Sequence, residues 1–281
     1  MCYIEGVKRE DEPAKAPGEE CEMDLLEFSF ENAKLANTVI FSLPAGHCCP
    51  FAVKCKSMAD RKTGRITDGP KCEFRCYGAS CECRSPRMRA RVWRNLDLLK
   101  AAGLQSRNEL AELIDASLPV KPGLVRIHST GGDFMTTQYF DAWCDVARKR
   151  GGEIIHTQWG PVVAGNVFYA YTKNIPMMLR GDIPPNMLLT ASLGGKHDKL
   201  VEKHRLKTVH VVYTEDEAKE KGLDLDHDDK HAWAIPGSFA LLIHGTQPAG
   251  SKASKALQAL RRAGVNSGYS RRRKQKEKVP A

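Results

Sequence analysis

Six short apolar runs, each succeeded by a segment of helical spacing, leave this chain few architectures to fold into. The runs are TVIFSL (38–43), LVRIH (124–128), VFYAY (167–171), MLLTA (187–191), TVHVVY (208–213) and FALLI (239–243). They are near-continuous rather than alternating, the pattern of strands covered on both faces. Between them lies PRMRARVWRNLDLLKAAG (86–103), with Val92, Leu96, Leu99 and Ala102 on one helical face. Residues 106–118 form a second helix, with Ser106 and Glu109 spaced as a capping box. Further helices are expected at 136–150, weakly after Lys173, and around 196–204, 215–221 and 251–263. Strand–helix alternation predicts parallel βα units. We expect an α/β fold resembling a partial (βα)6 barrel with a Cys-rich loop after the first strand; a doubly wound sheet fits the same pattern. The 281 residues suit one such domain at 37–269, between an acidic mobile arm (1–36) and a basic tail (270–281).

In either architecture, functional residues gather at the carboxyl ends of the strands. That rule selects the cysteine loop, His128 with Gly131-Gly132-Asp133, Lys173, Ser192, Glu215 and His244. Singly, His128 and His244 also read as satisfied core histidines and Lys173 as a solvated cation. Their shared rim is what makes them candidates.

The loop HCCPFAVKCKSMADRKTGRITDGPKCEFRCYGASCEC (47–83) carries seven of the ten cysteines, Cys48, Cys49, Cys55, Cys72, Cys76, Cys81 and Cys83. Interleaved with Lys, Arg, Asp and Gly, they are not core packing. No secretory signal is evident, so a reducing compartment is expected, where such clusters hold metals more often than disulfides. Zinc held by Cys72, Cys76, Cys81 and Cys83 and an iron–sulfur cluster held by three thiolates both satisfy soft-ligand chemistry. Cys2, Cys21 and Cys144 read as ordinary thiols.

No apolar run approaches the roughly 18 residues of a membrane span. The formal charge of +9 is concentrated in Arg84, Arg87, Arg89, Arg91 and Arg94 after the cysteines, and in the tail SRRRKQKEKVPA. Both places suit phosphate-bearing partners, nucleic acid among them. The run Asp226-His227-Asp228-Asp229 with His231 reads as a solvated turn, or alternatively as ligands or an acid–base pair.

A cysteine loop after the first strand, a Gly-Gly-acid turn after the second, and six βα units together resemble the radical S-adenosylmethionine enzymes. The resemblance implies that Cys49, Cys55 and Cys76 bind a 4Fe–4S cluster and that Gly131, Gly132 and Asp133 seat the methionine amine. The spacing here is five then twenty residues rather than three then two, and Asp133 stands where that superfamily has Glu. A closer resemblance runs from about Ser42 to Tyr269. The phrases SLPAGHCCPFAVKC, FRCYGAS, VRIHSTGGDF with YFDAW, FYAYTK and SFALLIHGTQPAGSKASKAL look like the gene-product-eighty-eight family of bacteriophage proteins. It implies a phage-encoded protein working in the host bacterial cytoplasm, assigns no activity, and adds weight to nucleic-acid or nucleotide substrates.

Three functions follow. One is an iron–sulfur, radical S-adenosylmethionine-like enzyme, with Lys173, Ser192 and His244 facing cofactor or substrate. Another is a zinc- or cluster-stabilised nucleic-acid-binding protein. The last is a non-redox nucleobase-exchange barrel with Asp133 as nucleophile and a structural zinc.

Overall fold

The computed structural model describes residues 24–30 and 35–265. All six apolar runs form strands: β2 (Thr38–Ile40), β5 (Leu124–Ile127), β8 (Val167–Thr172), β9 (Met187–Ser192), β10 (Thr208–Val212) and β12 (Phe239–Leu242). They run parallel and stand side by side in chain order. A doubly wound sheet reverses its strand order near the middle; here the six strands do not, and only the two-residue β11 falls out of chain order, at the edge. The short strands β1 (Ser29–Phe30), antiparallel to β2, and β11 (Asp224–Leu225), parallel to β12, complete an eight-stranded sheet. Two separate hairpins add β3 (Ser57–Ala59) with β4 (Ile66–Asp68), and β6 (Gly152–Thr157) with β7 (Gly160–Gly165).

Side chains alternate across the sheet as the pleat requires. Val125 and Ile127, registered with Phe168 and Ala170, enter the largest apolar cluster. The expected helices α2 (Pro86–Ala101), α3 (Arg107–Ser117) and α4 (Thr137–Arg150) supply about half of that cluster, with Trp143, Tyr139 and Phe140 fully buried. Leu124, Val167, Tyr169 and Phe239 face the other way and meet Ile154 and Val163 of the β6–β7 hairpin and α8 (Lys230–Trp233). The remaining helices follow their strands as expected: α5 (Ile175–Met178), α6 (Asp198–Lys203), α7 (Glu215–Glu220) and α9 (Lys252–Arg262). Ser106 does cap α3, but its side chain makes no capping hydrogen bond, so the capping box is not formed.

Residues 24–30, assigned to the acidic arm on sequence, pack onto the domain. Leu26 is buried, and the main chain of Glu27 both donates to and accepts from the Asn95 amide. The rest of that arm apart from 35 and 36, and the basic tail, lie outside the described residues.

Candidate functional site

The loops leaving the carboxyl ends of the parallel strands border a cavity of about 180 Å³. Cys49, Cys55 and Cys76 border it from the cysteine loop. His128, Gly131, Gly132 and Asp133 border it from the loop after β5, and Lys173, Ser192 and His244 from the ends of β8, β9 and β12. The catalytic, cofactor and three-thiolate cluster candidates thus meet at one place, whereas Cys72, Cys81 and Cys83 of the alternative zinc set are not among the lining residues. Glu215, by contrast, starts α7 and is not among the lining residues.

The cysteine loop is folded by its neighbours. At the Pro44-Ala45-Gly46 turn, Gly46 has φ +72° and lies so near Ser57 O that a Cβ would sit 2.3 Å from it. Cys48 turns inward to 1% exposure, whereas the Cys49 sulfur accepts the Gly46 N–H at 3.3 Å. Val53 and Lys54 donate to Gly194 O, and Lys196 donates to Phe51 O, pinning the loop to the β9–α6 connection. Cys76 N donates to Ser57 Oγ. Cys76 then caps α1 (Tyr77–Arg84), a helix within the cysteine stretch that sequence reading left as loop. The N–H groups of Gly78 and Ala79 point at its sulfur.

Burial pushes the Cys76 thiol up to about 12, helped by the charge of Cys55 and opposed by those two amides and Lys173. Cys49 is raised well above the usual thiol range by burial, then by Cys76, Asp133 and Cys55. Among the described residues, no group of three or more His, Cys, Asp or Glu side chains is placed to hold a single metal ion. A cluster binds each thiolate through a different iron, so its ligands need not converge on one point.

The Gly131-Gly132 turn lies against the start of the cysteine loop. A Cβ on Gly131 would meet Leu43 O at 2.6 Å, and Gly132 has φ +96°. Leu43 N donates to Gly131 O, coupling the first two strand ends. Asp133 is 4% exposed. Its carboxylate accepts from Thr172 Oγ1 at 2.5 Å, Phe134 N at 2.8 Å and Lys173 N at 2.9 Å. Burial raises its pKa against those bonds. Three donors leave one of about four lone-pair positions, enough to receive an amine and poor for a nucleophile. Lys173 is buried rather than solvated. Its ammonium donates to Ser192 Oγ at 2.7 Å, Ser192 O at 3.1 Å and Leu193 O at 2.6 Å.

The two histidines differ. His128, at φ +59°, places its ring among Phe41, Phe134 and Tyr139, with Nε2 3.0 Å from the Tyr139 hydroxyl. Burial, with Arg126 adding to it, lowers its pKa to about 3, so the ring is neutral. His244 is half-buried, bonds Leu242 O through Nδ1 and meets Tyr77 edge-on.

Sequence reading missed the cavity's basic floor. Arg126 rises from β5, its guanidinium 3.8 Å from the Tyr171 ring centre, and donates to Asp229 at 3.0 Å. The Tyr169 and Tyr171 hydroxyls donate to the same carboxylate. A charged residue inside an apolar strand was the available signal. Residues 226–231 are not the solvated turn that the sequence suggests: His227 is exposed, but Asp226 and Asp229 are buried, and Asp226 pairs with His231. Within the arginine run, Arg84 and Arg87 are exposed, but two others are committed to the protein. Arg89 is buried and donates to the carbonyls of Arg61, Lys62 and Glu82, while Arg94 bonds Asp24 and Leu25 O.

These features define an α/β protein with a mostly parallel sheet and a thiol-lined cavity at its carboxyl edge. No helix among the described residues is long and apolar enough to cross a membrane. The family model for gene product 88 matches residues 24–263, and the chain belongs to that family. Comparison with curated proteins and with solved structures returns no match.

Proposed function

We propose that the cavity is the site of an iron–sulfur enzyme of the radical S-adenosylmethionine type, on a partial βα barrel. One observation carries the reading. Thiols of the loop after the first parallel strand border the same cavity as the Gly-Gly-acid turn after the second, with Lys173 and Ser192 from later strands. The sequential strand order supports a curved, barrel-like sheet.

The donor set fits a cluster. Cys49, Cys55 and Cys76 would hold three irons, and the amides of Gly46, Gly78 and Ala79 would stabilise two of the thiolates. Asp133, oriented by Thr172 and the Phe134 and Lys173 amides, would receive the methionine amine. Lys173 and Ser192 would fix polar groups of the cofactor, and Leu241, Ile243, Val211 and Phe74 would keep water from the apolar side. When bound, cluster and S-adenosylmethionine supply reductive cleavage of the sulfonium; the protein binds, aligns and shields. As a phage protein it would work in the host bacterial cytoplasm.

Iron and acid-labile sulfide are to be measured after anaerobic purification of the wild type and of Cys49→Ala/Cys55→Ala/Cys76→Ala. The wild type should be brown, carry iron and sulfide, and release 5′-deoxyadenosine from S-adenosylmethionine under reduction; the variant should do none of these. Stoichiometric zinc without iron in the wild type would sink the reading.

A further inference from the structure

A basic stripe lies beside the part of the cysteine loop whose Ala52 lines the cavity. Lys199 and Lys203 are four residues apart in α6 and so share one of its faces, and Lys196 stands in the turn that leads into the helix. All three are exposed, as are His204 and Arg205, and none is in an ion pair found among the described residues. The segment's acids are Asp198, whose carboxylate is taken by the Gly194 and Gly195 amides, and the exposed Glu202. The opposite face is committed inward: Leu200 and Val201 pack with Ile175, Ala191 and Leu206.

The stripe leads to an aromatic pair on the cysteine loop. Phe51 and His197 are half-buried with ring centres 4.9 Å apart, and the Lys196 ammonium lies 5.9 Å from the Phe51 ring. Phe51 is fixed there because its carbonyl accepts the Lys196 N–H and the next residue, Ala52, bridges Gly195. Ala52 itself lines the cavity, as does Cys49. Cations that track a phosphate backbone beside a ring that can stack a base are the two parts of a single-strand binding surface.

We infer that the Lys196–Lys199–Lys203 stripe and Phe51 bind single-stranded nucleic acid and bring one nucleotide to the cavity mouth. Membrane lipid fits less well. A basic amphipathic helix binds bilayers by inserting its apolar face, and here that face is buried. Duplex fits less well too, because stacking on Phe51 needs an unpaired base. Delivery to the cavity rests on the enzyme reading above; binding does not.

The test is fluorescence anisotropy of the full-length protein with a labelled single-stranded DNA of about 15 nucleotides and its duplex, across salt concentrations. Lys196→Gln/Lys199→Gln/Lys203→Gln should flatten the slope of log affinity against log salt by about 2. At 0.1 M salt that is a loss on the order of a hundredfold, the slope acting over the decade to 1 M. Phe51→Ala should cost about tenfold on the single strand and leave the duplex unchanged. Wild-type affinity in the triple variant would overturn the inference. So would complete loss of binding in Arg271→Ala/Arg272→Ala/Arg273→Ala with the stripe intact, or equal competition by anionic vesicles or polyglutamate. The assay needs neither iron nor S-adenosylmethionine. Binding without iron fails only the enzyme reading, and iron without binding fails only this one.

Discussion

The carboxylate of Glu82 accepts the main-chain N–H of Ala45 at 2.7 Å, joining α1 to the turn that precedes Cys48 and Cys49. Glu82 is fully buried, and its second oxygen finds no hydrogen-bond partner among the described residues. Burial raises its pKa to about 7, against the Ala45 amide and the charge of Arg89. The sign follows from linkage. Between the ordinary value of 4.5 and about 7, the folded state keeps a proton that the unfolded chain releases. This contribution to stability is therefore complete below 4.5 and lost as pH rises through 7. Glu82→Gln keeps the acceptor and removes the charge. Relative to this variant, the wild type should lose on the order of 3 kcal/mol between pH 4.5 and 8, measured by urea unfolding of the metal-free protein. A pH-independent difference would show that Glu82 does not titrate there.

Gly78 allows α1 to lie against the loop after β5. A Cβ at this position would stand 1.5 Å from Thr130 O, a contact only backbone movement can relieve. Gly78→Ala should cost at least 2 to 3 kcal/mol, roughly the upper range for overpacking, and should displace Cys76 from the cavity. Gly181→Ala is the control, because nothing lies within 4 Å of a Cβ there. Calorimetry should show a clear drop in Tm for the first variant and little change for the second; equal Tm values would remove the packing argument.

What was legible in the sequence depended on how local the cause was. The six parallel strands are continuous apolar runs, and continuity needs no knowledge of partners; five end within a residue of their expected bounds, and β2 stops three residues short of Leu43. The rim followed from topology alone, which is why ten candidates scattered from Cys49 to His244 share a cavity. Helix α1 escaped because Tyr77-Gly-Ala-Ser-Cys-Glu-Cys-Arg84 has weak helical propensity, and a close tertiary contact at Gly78 holds it. The β6–β7 hairpin escaped because Ile154-Ile155 and Val162-Val163 are adjacent pairs rather than an alternation. Arg126 was passed over because its partner, Asp229, lies 103 residues away, a distance no local pattern can bridge.

That pair makes its own prediction. Both side chains are about 95% buried, and burial pushes Asp229 upward while Arg126 holds it down. Removing one member strands a charge, whereas removing both does not. Arg126→Met should cost about 3 to 5 kcal/mol, more at pH 8 than at pH 5, because the stranded carboxyl folds best protonated. Arg126→Met/Asp229→Asn should recover part of that loss, giving a coupling energy in a double-mutant cycle. Additive losses in urea unfolding would mean that the two residues act independently.

Adjacent cysteines should behave oppositely. Cys48 packs against the main core, and burial pushes its thiol up to about 12, so it is neutral at ordinary pH. Cys49, one residue on, borders the cavity with an amide at its sulfur. Cys48→Ala should lower stability by about 1 kcal/mol, the scale of a small buried group, and leave iron and sulfide per chain unchanged. Cys49→Ala should leave stability of the metal-free protein nearly unchanged and abolish iron retention. Equal iron loss in both variants would mean that the loop answers to folding alone, and the assignment of Cys49 as a ligand would then fall.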